Sequence, residues 1–151
     1  MRQTLRVLYA EDLTVGECFE IGSWHVTADE IVRFARDWDP VPIHVDEEAA
    51  ALSPFGGLIA SGLHTMAIAV RLGYDNFAGD VAIHAGRAIR ELRMLKPVRP
   101  AMTLTGSIEI IEQRLRDDGR GVISWRNQLR DDEGNPVLQF VAEVLVNCRN
   151  R

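Results

Sequence analysis

A chain of 151 residues is long enough to bury a core of its own, and residues 1–151 read as a single domain. Apolar residues make up 46% and charged residues 26%, which excludes a disordered chain, and no apolar run approaches bilayer-spanning length. A formal net charge of −5 argues against a nucleic-acid binder, because phosphate contacts need clustered basic residues.

The N-terminus lacks a long apolar segment with a small-residue cleavage site, so no secretory leader is expected. Two cysteines, Cys18 and Cys148, suggest no disulfide framework, and a cytoplasmic location is the default. Residues 19–26 alternate loosely and predict a short strand. Thr27 followed by Glu30 is a capping-box pattern, and Ile31, Phe34, Ala35 and Trp38 then repeat at helical spacing, which predicts an amphipathic helix over 28–37. Pro40 and Pro42 end it. A short helix is expected over 47–52 with Asp46 near its cap.

Residues 53–57 read as a loop with Pro54 and two glycines. Ser61 fits the N-cap of a helix in which Gly62 takes the first position. From Leu63 to Leu72 the only charge is Arg71, so this helix is apolar on nearly every face and is expected to be surrounded by protein. Residues 86–95, 102–116, 121–130 and 136–147 read as four long strands forming an antiparallel meander. KPVRP, DDGRG and DDEGN lie between them, the latter two suited to tight hairpins. The expected class is α+β, one buried helix against one antiparallel sheet.

Two constellations could carry chemistry. Asp39 and His44 stand on a turn that Pro40 and Pro42 stiffen by fixing their own φ and pushing their predecessors toward extended conformations, so that helix is excluded there. A carboxylate beside an imidazole can bind water, take one of its protons and deliver a proton elsewhere. The plainer reading is that Asp39 caps the turn and His44 is a surface or core histidine. Ser61 and Gly62 offer the open amide end of a helix, favourable for an enolate or oxyanion, and glycine admits a close approach. Gly62 equally suits tight helix–sheet packing.

Arg87, Arg90, Arg93, Lys96 and Arg99 make a basic run that suits coenzyme phosphates, an acidic carrier surface, or simply a solvated strand face. His25, His44, His64 and His84 have no i,i+4 partner or nearby cysteine, so no metal is expected, and with neither G-x-G-x-x-G nor a P-loop present no cofactor is expected. Ser61 lies in A-S-G, which is not a nucleophile elbow.

Together these segments are more specific than alone. Asp39-Pro40-Val41-Pro42-Ile43-His44-Val45-Asp46, Ala49 and Phe55-Gly56-Gly57-Leu58-Ile59-Ala60-Ser61-Gly62 resemble the MaoC-like dehydratase family, the (R)-specific enoyl-CoA hydratases of the hot-dog fold. The family pattern is roughly D-x-N-P-x-H-x-D, an alanine, then a glycine opening the central helix. E-L-R-M-L-K-P-V-R-P over 91–100 is similar to the strand and turn that follow. The resemblance covers nearly the whole chain. It implies that Asp39 and His44 are the catalytic pair and that Ser61 and Gly62 bind substrate, the Gly62 amide holding the thioester oxygen. It further implies a reversible hydration of a trans-2-enoyl thioester of CoA or a carrier protein, and a homodimer or higher oligomer. A hot-dog thioesterase or a non-catalytic acyl-thioester-binding subunit is the alternative. Val41 replaces the family asparagine. Asp37 competes with Asp39, and ungapped alignment on Pro42 and His44 selects Asp39.

Overall fold

The computed structural model describes residues 6–150. The elements are β1 (Cys18–His25), α1 (Ala28–Trp38), α2 (Pro42–Val45), α3 (Glu47–Leu52), α4 (Gly62–Asn76), β2 (Ile83–Met94), β3 (Thr103–Leu115), β4 (Arg120–Arg130) and β5 (Pro136–Asn147). The five strands form one antiparallel sheet in the order β1-β3-β4-β5-β2. Only β3, β4 and β5 form a meander. β2 does not pair with β3, as the expected four-strand meander required, but crosses to the outer edge of β5. The physical reason is that pairing follows what the sheet can bury, and the connection over 95–102 is long enough to let the chain cross rather than turn back tightly.

α4 lies across one face of this sheet. Its Ile68, Ala69 and Leu72 join a core with Ile108, Ile123, Trp125 and Leu129. The helix runs to Asn76, four residues past the expected end at Leu72, through Gly73. A Cβ at Gly73 would sit 3.3 Å from Ile108 Cδ1, so the missing side chain lets the helix rest closely on β3. At ~1.5 Å per residue the helix spans roughly 22 Å.

The helix is not enclosed on all sides. Leu63, Val70 and Tyr74 are 49, 52 and 61% exposed, along a shallow depression of about 500 Å³ that Met66 and Ala67 also line. Every residue of β2 is exposed as well. Both surfaces are apolar in part, which a sheet and helix complete in themselves would have buried.

α1 begins as expected, the Thr27 hydroxyl accepting the Glu30 amide at 3.2 Å. The Glu30 carboxylate instead accepts the Trp24 indole N–H at 2.9 Å, so the second half of the capping box is given up to a contact with β1. Ile31 and Ala35 are buried, while Trp38 at the helix end is 70% exposed.

Candidate active site

The expected turn after α1 is part helical. The Asp39 amide bonds back to the Ala35 carbonyl at 2.8 Å, and Pro40 prevents any continuation. Val41 is extended at φ −65°, ψ 136°, but Pro42 opens the one-turn helix α2. Proline is well suited to a first helical position, where its missing N–H would have no partner in any case. The expectation that the prolines forbid helix here is therefore corrected at Pro42. This turn carries His44 inward, where it is buried, and leaves the Asp39 Oδ2 atom 3.6 Å from His44 Nε2.

Asp46 then caps α3, accepting the Glu48 and Ala49 amides at 3.0 Å each. Behind the turn runs the buried segment Leu58-Ile59-Ala60, bonded through Ile59 N–H to the Ile43 carbonyl and through Ala60 N–H to the Val98 carbonyl. It presents the Ile59 carbonyl to His44 Nδ1 at 2.7 Å. A carbonyl only accepts, so Nδ1 carries the proton and the neutral ring keeps its lone pair on Nε2, the atom facing Asp39. In that neutral form the two facing atoms are both acceptors, 3.6 Å apart, and do not bond to one another. That spacing leaves both atoms free to accept from one donor placed between them, as a water molecule would be.

Ser61 does two tasks. Its buried hydroxyl accepts the Leu63 amide at 3.2 Å as the N-cap of α4 and donates to Asp39 Oδ2 at 2.6 Å. Its hydroxyl is thus engaged with Asp39 and the helix start. Val41, which replaces the family asparagine, is half exposed, and the polar contact to Asp39 comes from Ser61. Asp37, the competing carboxylate, lines a different cavity of about 280 Å³ with Trp24, Phe34 and Trp38.

Asp39, His44, Ser61 and Gly62 line one cavity of about 430 Å³. Its remaining wall is mostly apolar, including Ile59, Leu95, Val98, Val137 and Leu138. Lys96 stands on its rim, its ammonium bonded to the Asp131 carboxylate. That partner raises the Lys96 pKa, and the ammonium in turn holds the Asp131 carboxyl below its usual range.

The basic run is largely spoken for. Arg87 and Arg90 reach Glu143 at 3.5 and 3.7 Å, Arg90 also reaches Glu112, and Lys96 holds Asp131. His64, one turn inside α4, stacks on Phe34 with ring centroids 4.8 Å apart and points to Glu30 at 3.8 Å, outside the cavity of Asp39 and His44.

An antiparallel sheet curled on a long helix, with a carboxylate–imidazole pair at the amide end of that helix, defines a hot-dog fold of the dehydratase type. The comparison with known proteins agrees. Residues 14–128 match the MaoC like domain, and the chain belongs to that family. It is 36% identical over 137 residues to an uncharacterised Bacillus subtilis protein, YdeM, covering 90% of this chain and 96% of that one. It is 34% identical over 113 residues to a 3-hydroxybutyryl-CoA dehydratase of Methylorubrum extorquens, covering 74 and 69% of the two chains. Among solved structures, a MaoC-like dehydratase of Rhodospirillum rubrum superposes with a TM-score of 0.83 at 33% identity, over 95% of this chain and 99% of that one.

Proposed function

We propose that the chain, read as one domain over 1–151, hydrates trans-2-enoyl-CoA thioesters reversibly to (R)-3-hydroxyacyl-CoA. The observation that carries this is Asp39 Oδ2 and His44 Nε2 facing each other at 3.6 Å in a cavity that Gly62 also lines. Water held by both atoms attacks C3 of the enoyl chain while His44 Nε2 takes one of its protons. The C2=C3 electron pair moves into the thioester, whose oxygen gains enolate character against the Gly62 amide. Such a donor contributes about 3 kcal/mol to a developing oxyanion. The imidazolium, its Nδ1–H fixed on the Ile59 carbonyl and its Nε2–H beside Asp39, then returns the proton to C2, and the carbonyl reforms. Dehydration is the same path reversed.

Family membership and the likeness to a 3-hydroxybutyryl-CoA dehydratase support a dehydratase reading, and the apolar cavity wall suits an acyl chain. The test is loss of enoyl absorbance on adding crotonyl-CoA to the purified protein. Hydration without free thiol release is expected. Thiol release with the double bond intact would replace this reading with a thioesterase.

The open side of α4 and the exposed edge strand β2 support a second copy of the chain as partner, in a homodimer or an assembly of dimers. A strand edge with unpaired backbone groups beside an apolar groove is a surface that self-association covers.

A further inference from the structure

Gly62 has a neighbour that the sequence does not bring to it. A Cβ built on this residue would overlap the Sδ and Cε atoms of Met94, so the Met94 thioether lies against the bare Cα of Gly62. Met94 ends β2, faces Leu138 across the strand pair and is exposed along much of its length. It shares the cavity with Asp39 and His44. Methionine is unbranched and turns about three side-chain bonds, so it fills this space and leaves it at small cost. A β-branched residue would be held by its stiff χ1.

We infer that Met94 is a specificity-determining residue that selects against substituents at C2 of the acyl chain. The inference rests on the hydratase reading, which puts the thioester oxygen at the Gly62 amide. The atoms next to that oxygen are the thioester carbon, then sulfur on one side and C2 on the other. The carbon has no free valence and the sulfur is divalent, so C2 alone can carry an extra group. A thioester bound there displaces the Met94 methyl, and a methyl branch at C2 competes for the space the thioether still occupies.

The test compares crotonyl-CoA with its 2-methyl analogue, tiglyl-CoA, in the full-length protein. The wild type favours the unbranched substrate, and Met94→Ala raises the tiglyl-to-crotonyl ratio of kcat/KM about 10-fold or more, the scale on which a pocket senses one methyl group. An unchanged ratio overturns the inference. A second measurement does not depend on turnover. The four methionines give separable signals when their methyl groups carry carbon-13, and the Met94 signal is the one missing from Met94→Ala. Saturating butyryl-CoA, which has no double bond to hydrate, shifts that signal in the wild type if Met94 yields to the thioester. Binding with no shift overturns the inference and leaves the hydratase reading standing. Failure of the wild type both to hydrate crotonyl-CoA and to bind butyryl-CoA removes the hydratase reading, and the inference falls with it.

Discussion

Ser61 and Ile59 show how single residues prepare the site. The Ser61 hydroxyl bonds the Asp39 carboxylate, and the Ile59 carbonyl accepts from Nδ1 of the His44 imidazole. Both bonds join residues far apart in the chain, 22 positions for Ser61 to Asp39 and 15 for Ile59 to His44. That separation is why the motif residues Asp39, His44 and Gly62 are legible in the sequence while the bonds that aim them are not. A serine before a helix reads as a cap, and nothing local says that its hydroxyl also donates to a distant carboxylate. Ser61→Ala removes both functions. It is expected to cost about 1 kcal/mol or more in stability through the lost cap, and to lower kcat more than it raises KM because Asp39 loses its orienting donor. Thermal melting and steady-state hydration kinetics read the two effects separately. His64 gives a pH signature of its own. Burial depresses its pKa below the ordinary 6.5, with Glu30 opposing and Arg33 assisting, so the native state binds the proton less readily than the unfolded chain. Its contribution to stability is complete above about pH 6.5 and is lost as the pH falls through the native value. The melting temperature is therefore expected to fall between pH 7 and pH 5, and His64→Gln to flatten that fall.

Elements follow the sequence where their signals are local. The caps at Thr27, Asp46 and Ser61, the hairpins after β3 and β4, and the bounds of β3, β4 and β5 are all where residue type and periodicity put them. The partner of β2 is not, because strand pairing is decided by what the sheet can bury rather than by order along the chain. The bulge in β1 is a second such case. The register shifts between Glu20 and Gly22, and the extra residue, Ile21, turns fully into the core over Gly106 of β3. A Cβ at Gly106 would lie 2.7 Å from Ile21 Cγ1, with Leu129 on its other side at 3.2 Å. Gly106→Ala is thus expected to destabilise by about 1–3 kcal/mol, the usual cost of overpacking, measured as a lower urea midpoint with an unchanged slope. The same substitution at Gly73, where the nearest atom is a flexible isoleucine tip and helix propensity gains, is expected to stay within about 1 kcal/mol of neutral.

For the whole molecule, the sequence suggests a helix surrounded by protein, and the structure shows one with an open side. If a second chain covers it, Val70→Glu on the exposed face should halve the mass seen by light scattering, whereas Glu20→Lys on the opposite edge strand β1 should not. No helix of the described residues is long and apolar enough to cross a membrane. All these scales meet at one pair of side chains, Asp39 and His44. The most direct measurement of the account is hydration of crotonyl-CoA by the wild type, Asp39→Asn and His44→Ala. The wild type should turn over, and each variant should lose about 10²–10⁴ in kcat while still binding butyryl-CoA, as expected for the loss of a general acid–base group. Turnover retained in both variants would contradict the assignment of the chemistry to this pair.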